Sequence, residues 1–261
     1  MSHMYCLQMD STLTLNEAWE KLEEQGFSIL YGEEEETAVY LYVEDIEIKR
    51  IQETEAIIRY KKMEIPAIDW GKQWENHGHQ FYDGLVHVPL KGNQELKLQP
   101  GPGFGDFSHP TTCLMLIFIQ SYLAQQVTID IGCGSGILSI AAALLGASSV
   151  YGIDIDDNAL VHSKTNATLN HVEKICHFCL PNDLEMNENQ NPYLILMNMI
   201  QSEQEVAWNS LPMIHEKKGW IITSGIHFEE KDQYLKWTSL WHWHLIEEKE
   251  QEGWSSFVFS Y

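Results

Sequence analysis

A short loop rich in glycine limits what this chain can fold into more than any other feature. The loop reads D-I-G-C-G-S-G at residues 130–136, between an apolar run at 127–131 and a helical pattern at 137–145. Glycine lets a backbone turn sharply and approach a ligand, because it has no Cβ atom. The free N–H groups and the positive end of the following helix favour an anionic group. A nucleotide pyrophosphate or the carboxylate of a methionine moiety would fit there.

The spacing of the glycines and two acidic residues distinguish between these ligands. Loops that bind dinucleotides read G-x-G-x-x-G, whereas this loop reads G-x-G-x-G and begins with Asp130. A carboxylate beside the loop repels a pyrophosphate but suits the ammonium of methionine. Asp154 ends the second strand-like run, about twenty residues further on, where an acid accepts hydrogen bonds from ribose hydroxyls. We therefore expect S-adenosylmethionine as the cofactor, with NAD as the main competitor.

Strand-like and helical patterns alternate from residue 108 to the end of the chain. The last two runs, residues 241–246 and 254–259, are both strand-like and are joined by an acidic turn. This alternation predicts an α/β fold with the doubly wound sheet of class I methyltransferases and an antiparallel edge. The order β-α-β-β-α-β at the start of the chain predicts a small ferredoxin-like α+β domain ahead of it. The expected domains are residues 1–62, a linker and entry segment at 63–100, and the methyltransferase domain at 101–261.

The chain is strongly acidic, with a formal charge of -22 and a sequence pI of about 4.8. Its only arginines are Arg50 and Arg59, both ahead of the predicted catalytic region. Nucleic-acid binders need a basic surface that neutralises phosphates, and this composition does not supply one. An acidic surface favours encounter with a cationic partner such as a lysine-rich protein, although solubility alone is another reason for it. We expect a basic protein partner and no direct contact with nucleic acid.

Cysteine content and hydropathy indicate the compartment. Five cysteines are few for a disulfide scaffold, and Cys176 and Cys179 form one C-x-x-C without a second pair at zinc spacing. No apolar run reaches the roughly 18 residues of a membrane helix, and no signal peptide is visible. M-S-H at residues 1–3 is typical of an expression remnant, with Met4 as the expected natural start. We expect a cytoplasmic protein with reduced thiols, no metal and no membrane contact.

A specific resemblance lies at residues 100–112, which read P-G-P-G-F-G-D-F-S-H-P-T-T. This stretch resembles the loop P-G-x-A-F-G-T-G-x-H-x-T-T of the bacterial PrmA family, which methylates large-subunit ribosomal protein number eleven. D-I-G-C-G-S-G-I-L at 130–138 and G-I-D-I-D at 152–156 are similar to the family's cofactor motifs. N-M-I at 198–200 stands where the family carries N-I-L. The resemblance spans most of residues 100–225, and ahead of it only the order of elements matches.

The resemblance implies that Thr112, Gly132, Asp154 and Asn198 contact the cofactor. Thr112 begins a helix that faces the loop, so its hydroxyl can reach the methionyl carboxylate or amine, unless it is an ordinary helix-start residue. Asn198 ends the fourth strand, where its amide oxygen can position an amine nucleophile; a strand-end cap is the alternative. His109 matches the family's histidine, and we expect it to order the loop rather than act as a general base.

Asp183 follows the third strand, and we expect it near the adenine of the cofactor. The complete predicted site comprises Asn198 and His109 for catalysis, and Thr112, Asp130, Gly132, Gly134, Asp154, Ile155, Asp183 and Asn198 for the cofactor. Asp106 and Phe107 depart from the family's pattern, which has Thr and Gly at these positions. Loss of the glycine stiffens a segment expected to fold over the cofactor, and Asp106 adds a charge beside it.

Three functions follow from these features. The first is a protein methyltransferase acting on lysine or N-terminal amines of the ribosomal protein, which the ferredoxin-like domain would bind. The second is a cofactor-binding protein with weak or no catalysis that serves as an interaction module, suggested by the changes at Asp106 and Phe107. The third, an NAD-dependent oxidoreductase, lacks its G-x-G-x-x-G loop.

Overall fold

A computed structural model gives the structure of most of the chain. It describes residues 3–27, 29–35, 38–44, 48–64, 80–101, 103, 105, 107, 109–186 and 193–261. The chain divides into two compact units, Met1–Ile68 and Asp69–Tyr261. No helix among these described residues is long and apolar enough to cross a membrane.

The first unit is a four-stranded antiparallel sheet with two helices. Its elements are β1 (His3–Met9), α1 (Leu15–Glu24), β2 (Ile29–Glu35), β3 (Ala38–Glu44), α2 (Ile48–Glu53) and β4 (Ile57–Glu64). The strand order is β2-β3-β1-β4, and each neighbouring pair is antiparallel. Thr14 caps α1 through a reciprocal pair of hydrogen bonds with Glu17, which fixes where this helix begins. Leu7, Leu22 and Leu41 are fully buried in the core of the unit.

The second unit is built on a seven-stranded, mostly parallel sheet. Its strands are β8 (Val127–Ile131), β9 (Ser149–Ile153), β10 (Cys176–Cys179), β11 (Tyr193–Asn198), β12 (Gly219–His227), β13 (His244–Gln251) and β14 (Trp254–Ser260). They are ordered β10-β9-β8-β11-β12-β14-β13, with β14 antiparallel to both β12 and β13. The predicted α/β class, with a large parallel sheet and an antiparallel edge, is confirmed.

Helices cover both faces of this sheet. They are α3 (Pro110–Tyr122), α4 (Ile137–Leu144), α5 (Asp157–Leu169), α6 (Gln201–Ser210) and α7 (Lys231–Leu240). A parallel strand covered on both faces is expected to be apolar along its length. Strand β11 is an example, since its first five residues are all apolar and buried. Successive side chains point to opposite faces, so Leu194 and Leu196 join the core under α4 while Ile195 and Met197 join the core that includes Trp208 of α6.

Three further strands precede α3 in the second unit. They are β5 (Phe81–Tyr82), β6 (Leu85–Leu90) and β7 (Gln94–Leu98), joined as an antiparallel sheet in the order β5-β6-β7. Val88, Leu96 and Leu98 are fully buried in the same core as α4. Nothing in the sequence pattern predicted these strands, because turn-forming residues separate short apolar runs there.

The strand expected at residues 241–246 begins later than the sequence suggested. Trp241 ends α7, and His242 has a left-handed backbone with φ of 59°. Strand β13 therefore starts only at His244. The first three residues of the expected strand instead follow the end of α7.

Candidate functional site

A cavity of about 1020 Å³ lies at the carboxyl ends of β8, β9 and β11. The chain runs outward from β8 to β9 and β10 and then returns to β11 on the other side of β8. Parallel sheets bind ligands where their strand order reverses in this way. Ile131, Ile153 and Asn198, which end the three strands, all line the cavity.

The glycine-rich loop (residues 132–136) forms one wall of this cavity. Gly132, Gly134 and Gly136 have φ of 73°, 54° and 82°, a left-handed backbone that other residues rarely adopt. The N–H groups of Gly132 and Cys133 donate to the Ile153 carbonyl at 2.8 and 3.0 Å, which ties the loop to the end of β9. A Cβ atom at Gly132 would lie 2.4 Å from the Met199 side chain. The loop thus needs glycine for its backbone conformation, while a Cβ atom at Gly132 would also have to displace the end of the Met199 side chain.

Asp154 lines the cavity and is hydrogen-bonded to the glycine-rich loop. One carboxylate oxygen accepts the Gly134 N–H at 2.9 Å, and the other accepts the Asp156 N–H at 3.0 Å. Each oxygen can accept a further hydrogen bond from a ligand hydroxyl. Ile155 follows it on the cavity wall with its side chain 85% exposed. A carboxylate accepts hydrogen bonds from sugar hydroxyls, and an exposed apolar side chain packs against a planar base. Asp154 and Ile155 together therefore suit a nucleoside.

Asp130 lies beneath the glycine-rich loop and does not line the cavity. It is only 1% exposed, and one oxygen accepts the Ser139 hydroxyl at 2.7 Å. The other oxygen, Oδ1, has no hydrogen-bond partner among the described residues. Burial, with a smaller contribution from the charge of Asp154, raises the pKa of Asp130 to about 7, although the hydrogen bond from Ser139 opposes this. The two acids predicted to serve the cofactor therefore have different surroundings.

Thr112 and Asn198 meet between α3 and β11. Thr112 is fully buried, and the Asn198 amide nitrogen lies 3.5 Å from its hydroxyl oxygen. Asn198 and the neighbouring Thr111 line the cavity, whereas Thr112 does not. With its nitrogen directed at Thr112, Asn198 presents its amide oxygen to a ligand.

His109 caps the start of α3 and lines the cavity. Its Nδ1 lies 2.7 Å from the Thr111 hydroxyl and accepts the Thr111 N–H at 3.4 Å. The imidazole packs against Trp254, with ring centroids 5.4 Å apart. These contacts give His109 a role in ordering the start of α3.

Most of the predicted residues meet around this one cavity. Those that line it are His109, Gly132, Gly134, Asp154, Ile155 and Asn198. Asp183 is exposed at the end of a short 3-10 helix (Pro181–Asp183) whose first residue, Pro181, does line the cavity. Phe107 packs against the core under α4, and its carbonyl accepts the Cys113 thiol at 3.2 Å. Asp106 lies outside the described residues.

The upstream loop (the described residues 99–101, 103, 105, 107 and 109) contributes contacts that the motifs did not reveal. Gly103 lines the cavity and packs so closely that a Cβ atom there would lie 2.6 Å from the Gly134 and Ser135 backbone. The Ser135 hydroxyl donates to the Gly105 carbonyl. The alternating glycines at 101, 103 and 105 were the available signal, since such spacing is typical of backbone pressed against backbone.

Gln204 of α6 supports the opposite side of the cavity. Its amide nitrogen donates to the carbonyls of Met199 at 2.7 Å and Ser224 at 3.0 Å. Its oxygen accepts the Tyr234 hydroxyl at 2.6 Å. This fully buried side chain therefore links the ends of β11 and β12. A single glutamine on a polar helix gave no sequence signal for this role.

The cavity has an acidic wall. Asp154, Asp156 and Glu203 line it, and its lining, drawn from the described residues, includes no lysine or arginine. Such a wall favours a cationic ligand and disfavours a pyrophosphate. Nor do His, Cys, Asp and Glu side chains cluster in threes or more for a metal ion in the described parts of the chain.

Known proteins resemble this chain along most of its length. A sequence profile of the family described as ribosomal protein L11 methyltransferase (PrmA) matches residues 7–261. A ribosomal protein L11 methyltransferase from Staphylococcus haemolyticus is 34% identical over 194 residues, which cover 69% of this chain and 61% of the relative. One from Staphylococcus aureus is 32% identical over 216 residues, which cover 77% and 68%.

A solved structure, the ribosomal protein L11 methylase from Lactobacillus delbrueckii subsp. bulgaricus, is also similar. It has a TM-score of 0.57 and 27% identity, covering 66% of this chain and 89% of that one. The chain spans less than two thirds of the length of the Staphylococcus haemolyticus relative. The resemblance inferred from residues 100–225 is nevertheless confirmed, because the profile extends over residues 7–261. This chain belongs to the ribosomal protein L11 methyltransferase (PrmA) family.

Proposed function

We propose that this chain transfers methyl groups from S-adenosylmethionine to amines of a ribosomal protein in the cytoplasm. The observation that carries the proposal is the cavity itself, with its acidic wall beside a loop of left-handed glycines. The names of the relatives supply the substrate, ribosomal protein L11. The amine as acceptor, on lysine or at an N-terminus, follows from the sequence resemblance.

The residues around the cavity fit S-adenosylmethionine. Asp154 keeps both carboxylate oxygens on the cavity side of β9, where ribose hydroxyls can donate to them. Ile155 offers an exposed apolar surface for adenine. Asp130 lies below the glycine-rich loop and not on the cavity wall, and its negative charge there favours the ammonium of the methionine moiety on the other side of the loop. We infer a more peripheral contact for Asp183 and a supporting one for Thr112, which is buried behind Asn198.

Catalysis in this site is a matter of alignment and charge. When bound, the cofactor supplies a methyl group on a positively charged sulfur. The amide oxygen of Asn198 would orient the attacking amine, and this gain in proximity lowers the barrier. Free lysine has a pKa near 10.4, so the amine must lose a proton first. Burial of the amine and the sulfonium charge both favour that loss, while Glu203 and Asp156 attract the incoming ammonium.

We infer that the first unit is ferredoxin-like and holds the substrate protein. Its antiparallel order β2-β3-β1-β4, with α1 and α2 as connections, supports this assignment. The predicted boundaries, with residues 1–62 as the recognition domain, 63–100 as an entry segment and 101–261 as the methyltransferase domain, remain part of the proposal.

The alternative of a cofactor-binding protein without catalysis is not favoured. Its motivation was the altered sequence at Asp106 and Phe107, and Phe107 packs against the core with its carbonyl bonded to Cys113. The relatives bear the name ribosomal protein L11 methyltransferase, which favours a catalytic function.

Methylation of purified ribosomal protein L11 with labelled S-adenosylmethionine tests the proposal. We expect label on lysine or N-terminal amines, located by mass spectrometry, and roughly a hundredfold slower transfer by N198A, which lacks the orienting oxygen. Asn209→Ala is the matched control, because Asn209 is exposed on α6 and bonds only within that helix. No label at high enzyme concentration would contradict the proposal.

A further inference from the structure

We propose that His162 of α5 is a positioning residue, which holds the upstream loop against the glycine-rich loop and thereby sets the affinity for the cofactor. The inference rests on the proposed function, because it concerns the same cavity. His162 does not line the cavity and is 6% exposed. It acts through Gly103, which does line it.

Both ring nitrogens of His162 bond to the backbone of the upstream loop. Nδ1 accepts the Gly103 N–H at 3.1 Å, and Nε2 lies 2.7 Å from the Gln99 carbonyl oxygen. A backbone N–H can only donate and a carbonyl can only accept, so Nε2 carries the proton and the imidazole is neutral. The same histidine therefore binds two points of the loop, four residues apart.

Close packing leaves the upstream loop little freedom at this point. A Cβ atom at Gly101 would lie 2.5 Å from the His162 ring, and one at Gly103 would lie 2.6 Å from the Gly134 and Ser135 backbone. Gly103 is thus held between the imidazole and the glycine-rich loop. Loss of its bond to His162 would leave a buried N–H group without a partner, which disfavours the present position of the loop.

Asn166, one turn further along α5, reinforces the same arrangement. Its oxygen accepts the Gln99 N–H at 2.9 Å, and its nitrogen donates to the Ser135 carbonyl at 2.9 Å. Residues four apart on a helix share a face, so α5 presents His162 and Asn166 together to both loops. Neither residue belongs to the motifs that identified the site.

Two conservative variants separate the two bonds of His162. His162→Asn keeps an acceptor near the position of Nδ1, and His162→Gln keeps a donor near the position of Nε2. We expect H162Q to bind S-adenosylhomocysteine about tenfold more weakly than wild type, and H162N to stay within about threefold. Isothermal titration calorimetry measures these dissociation constants.

Hydrogen exchange of the Gly103 amide gives a second measurement that needs no cofactor. We expect faster exchange in H162Q than in wild type, because only H162Q lacks an acceptor for this N–H. Asn170→Ala is the control on the same helix, since Asn170 bonds the Lys97 backbone at 2.8 and 2.6 Å and does not line the cavity. N170A is expected to keep the wild-type affinity and the slow Gly103 exchange.

The outcomes separate this inference from the proposed function. Equal affinity of wild type and H162Q overturns the positioning role alone, as does equal weakening by H162Q and N170A. A wild-type chain that binds no S-adenosylhomocysteine overturns the proposed function and this inference with it. Weaker binding and faster Gly103 exchange confined to H162Q support it.

Discussion

The two loops that meet at the cavity differ in what holds them. The glycine-rich loop is held largely through its own backbone, since it connects β8 directly to α4 and its N–H groups bond the Ile153 carbonyl at the end of β9. The upstream loop is fixed by side chains of α5, whose bonds to Gln99 and Gly103 join residues 59 to 67 positions apart. The first loop thus depends mainly on its glycines and on backbone hydrogen bonds, and the second on side chains of a helix far away in the sequence.

The glycine-rich loop therefore depends mainly on its backbone conformation, and the upstream loop on its packing against α5. At the glycine-rich loop, left-handed φ values at Gly132 and Gly134 are set locally and permit the turn in any context. At the upstream loop, Gly103 matters because of what lies against it, and that depends on where α5 packs. Substitutions at the first loop should therefore act on local geometry and charge, and those at the second on the contact between the loops.

The largest expected effect comes from the buried acid under the glycine-rich loop. Asp130 has a folded pKa of about 7 against an ordinary value of 3.8, so its contribution to stability is complete below pH 3.8 and is lost as the pH rises to about 7. Asp130→Asn removes the buried charge, and we expect a gain in unfolding free energy on the order of 4 kcal/mol at pH 8, vanishing near pH 4. Urea unfolding across this range measures it.

Asp83→Asn serves as the control for that experiment. Asp83 is exposed in a turn with φ of 55°, which asparagine also adopts, so D83N makes the same Asp-to-Asn change at a carboxylate that is not buried. A D130N variant that is less stable than wild type at pH 8 would contradict the prediction. The same variant should bind S-adenosylhomocysteine more weakly, because the carboxylate proposed to face the ammonium is gone.

Local signals explain what the sequence could predict about the site. The glycines, Asp154 and Asn198 lie at strand ends, and their positions follow from the alternation of strands and helices alone. The placement of Asp130 did not follow, because the pattern V-T-I-D-I suits a strand with one polar, exposed face. Thr128 and Asp130 are instead buried on that face, since α4 covers it. The burial of Asp130 therefore follows from the packing of α4 on the sheet and not from the sequence pattern.

Contacts over long sequence distances account for the rest. His162 and Asn166 stand on a helix whose apolar pattern is weak, and nothing local shows that they bond a loop near residue 100. The sheet β5-β6-β7 escaped prediction for a similar reason. Gly84 and Gly92 mark its turns clearly, yet short strands are stable only where a core covers them, and that core comes from helices later in the chain.

The next effect tests the contact between the loops. Gly103→Ala would place a Cβ atom 2.6 Å from the Gly134 and Ser135 backbone, which cannot move aside. Overpacking of this kind costs about 3 kcal/mol. The PrmA pattern carries Ala at this position together with Gly at position 107, whereas in this chain Phe107 packs against the core and keeps the loop from shifting, so we expect a roughly hundredfold loss of affinity for S-adenosylhomocysteine in calorimetry. Gly92→Ala is the control, with φ of 77° but no atom within 4 Å of the new Cβ. Similar losses in both variants would show that the contact between the loops is unimportant.

A smaller effect tests the charge on the glycine-rich side. Asp154→Asn keeps the size of the side chain but removes the negative charge that accepts the Gly134 N–H and, in the proposed complex, the ribose hydroxyls. We expect the dissociation constant for S-adenosylhomocysteine to rise roughly thirtyfold. Asp156→Asn is the matched variant, because Asp156 also lines the cavity but caps α5, a task asparagine performs equally well. If D156N binds S-adenosylhomocysteine as weakly as D154N does, the affinity depends on the total negative charge of the cavity wall, and a specific contact of Asp154 with the ribose is ruled out.

The smallest effect concerns the upstream loop at acid pH. Burial lowers the pKa of His162, and the bond to the Gln99 carbonyl partly opposes this. Because the folded pKa lies below the ordinary value of 6.5, the stability due to neutral His162 is complete above pH 6.5 and is lost as the pH falls toward the folded pKa. The free energy of unfolding of wild type, measured with urea, should therefore fall more steeply below pH 6.5 than that of H162Q, which lacks the titrating ring. Parallel pH profiles would mean that protonation of His162 does not disturb Gly103, and that the upstream loop is held mainly by Asn166.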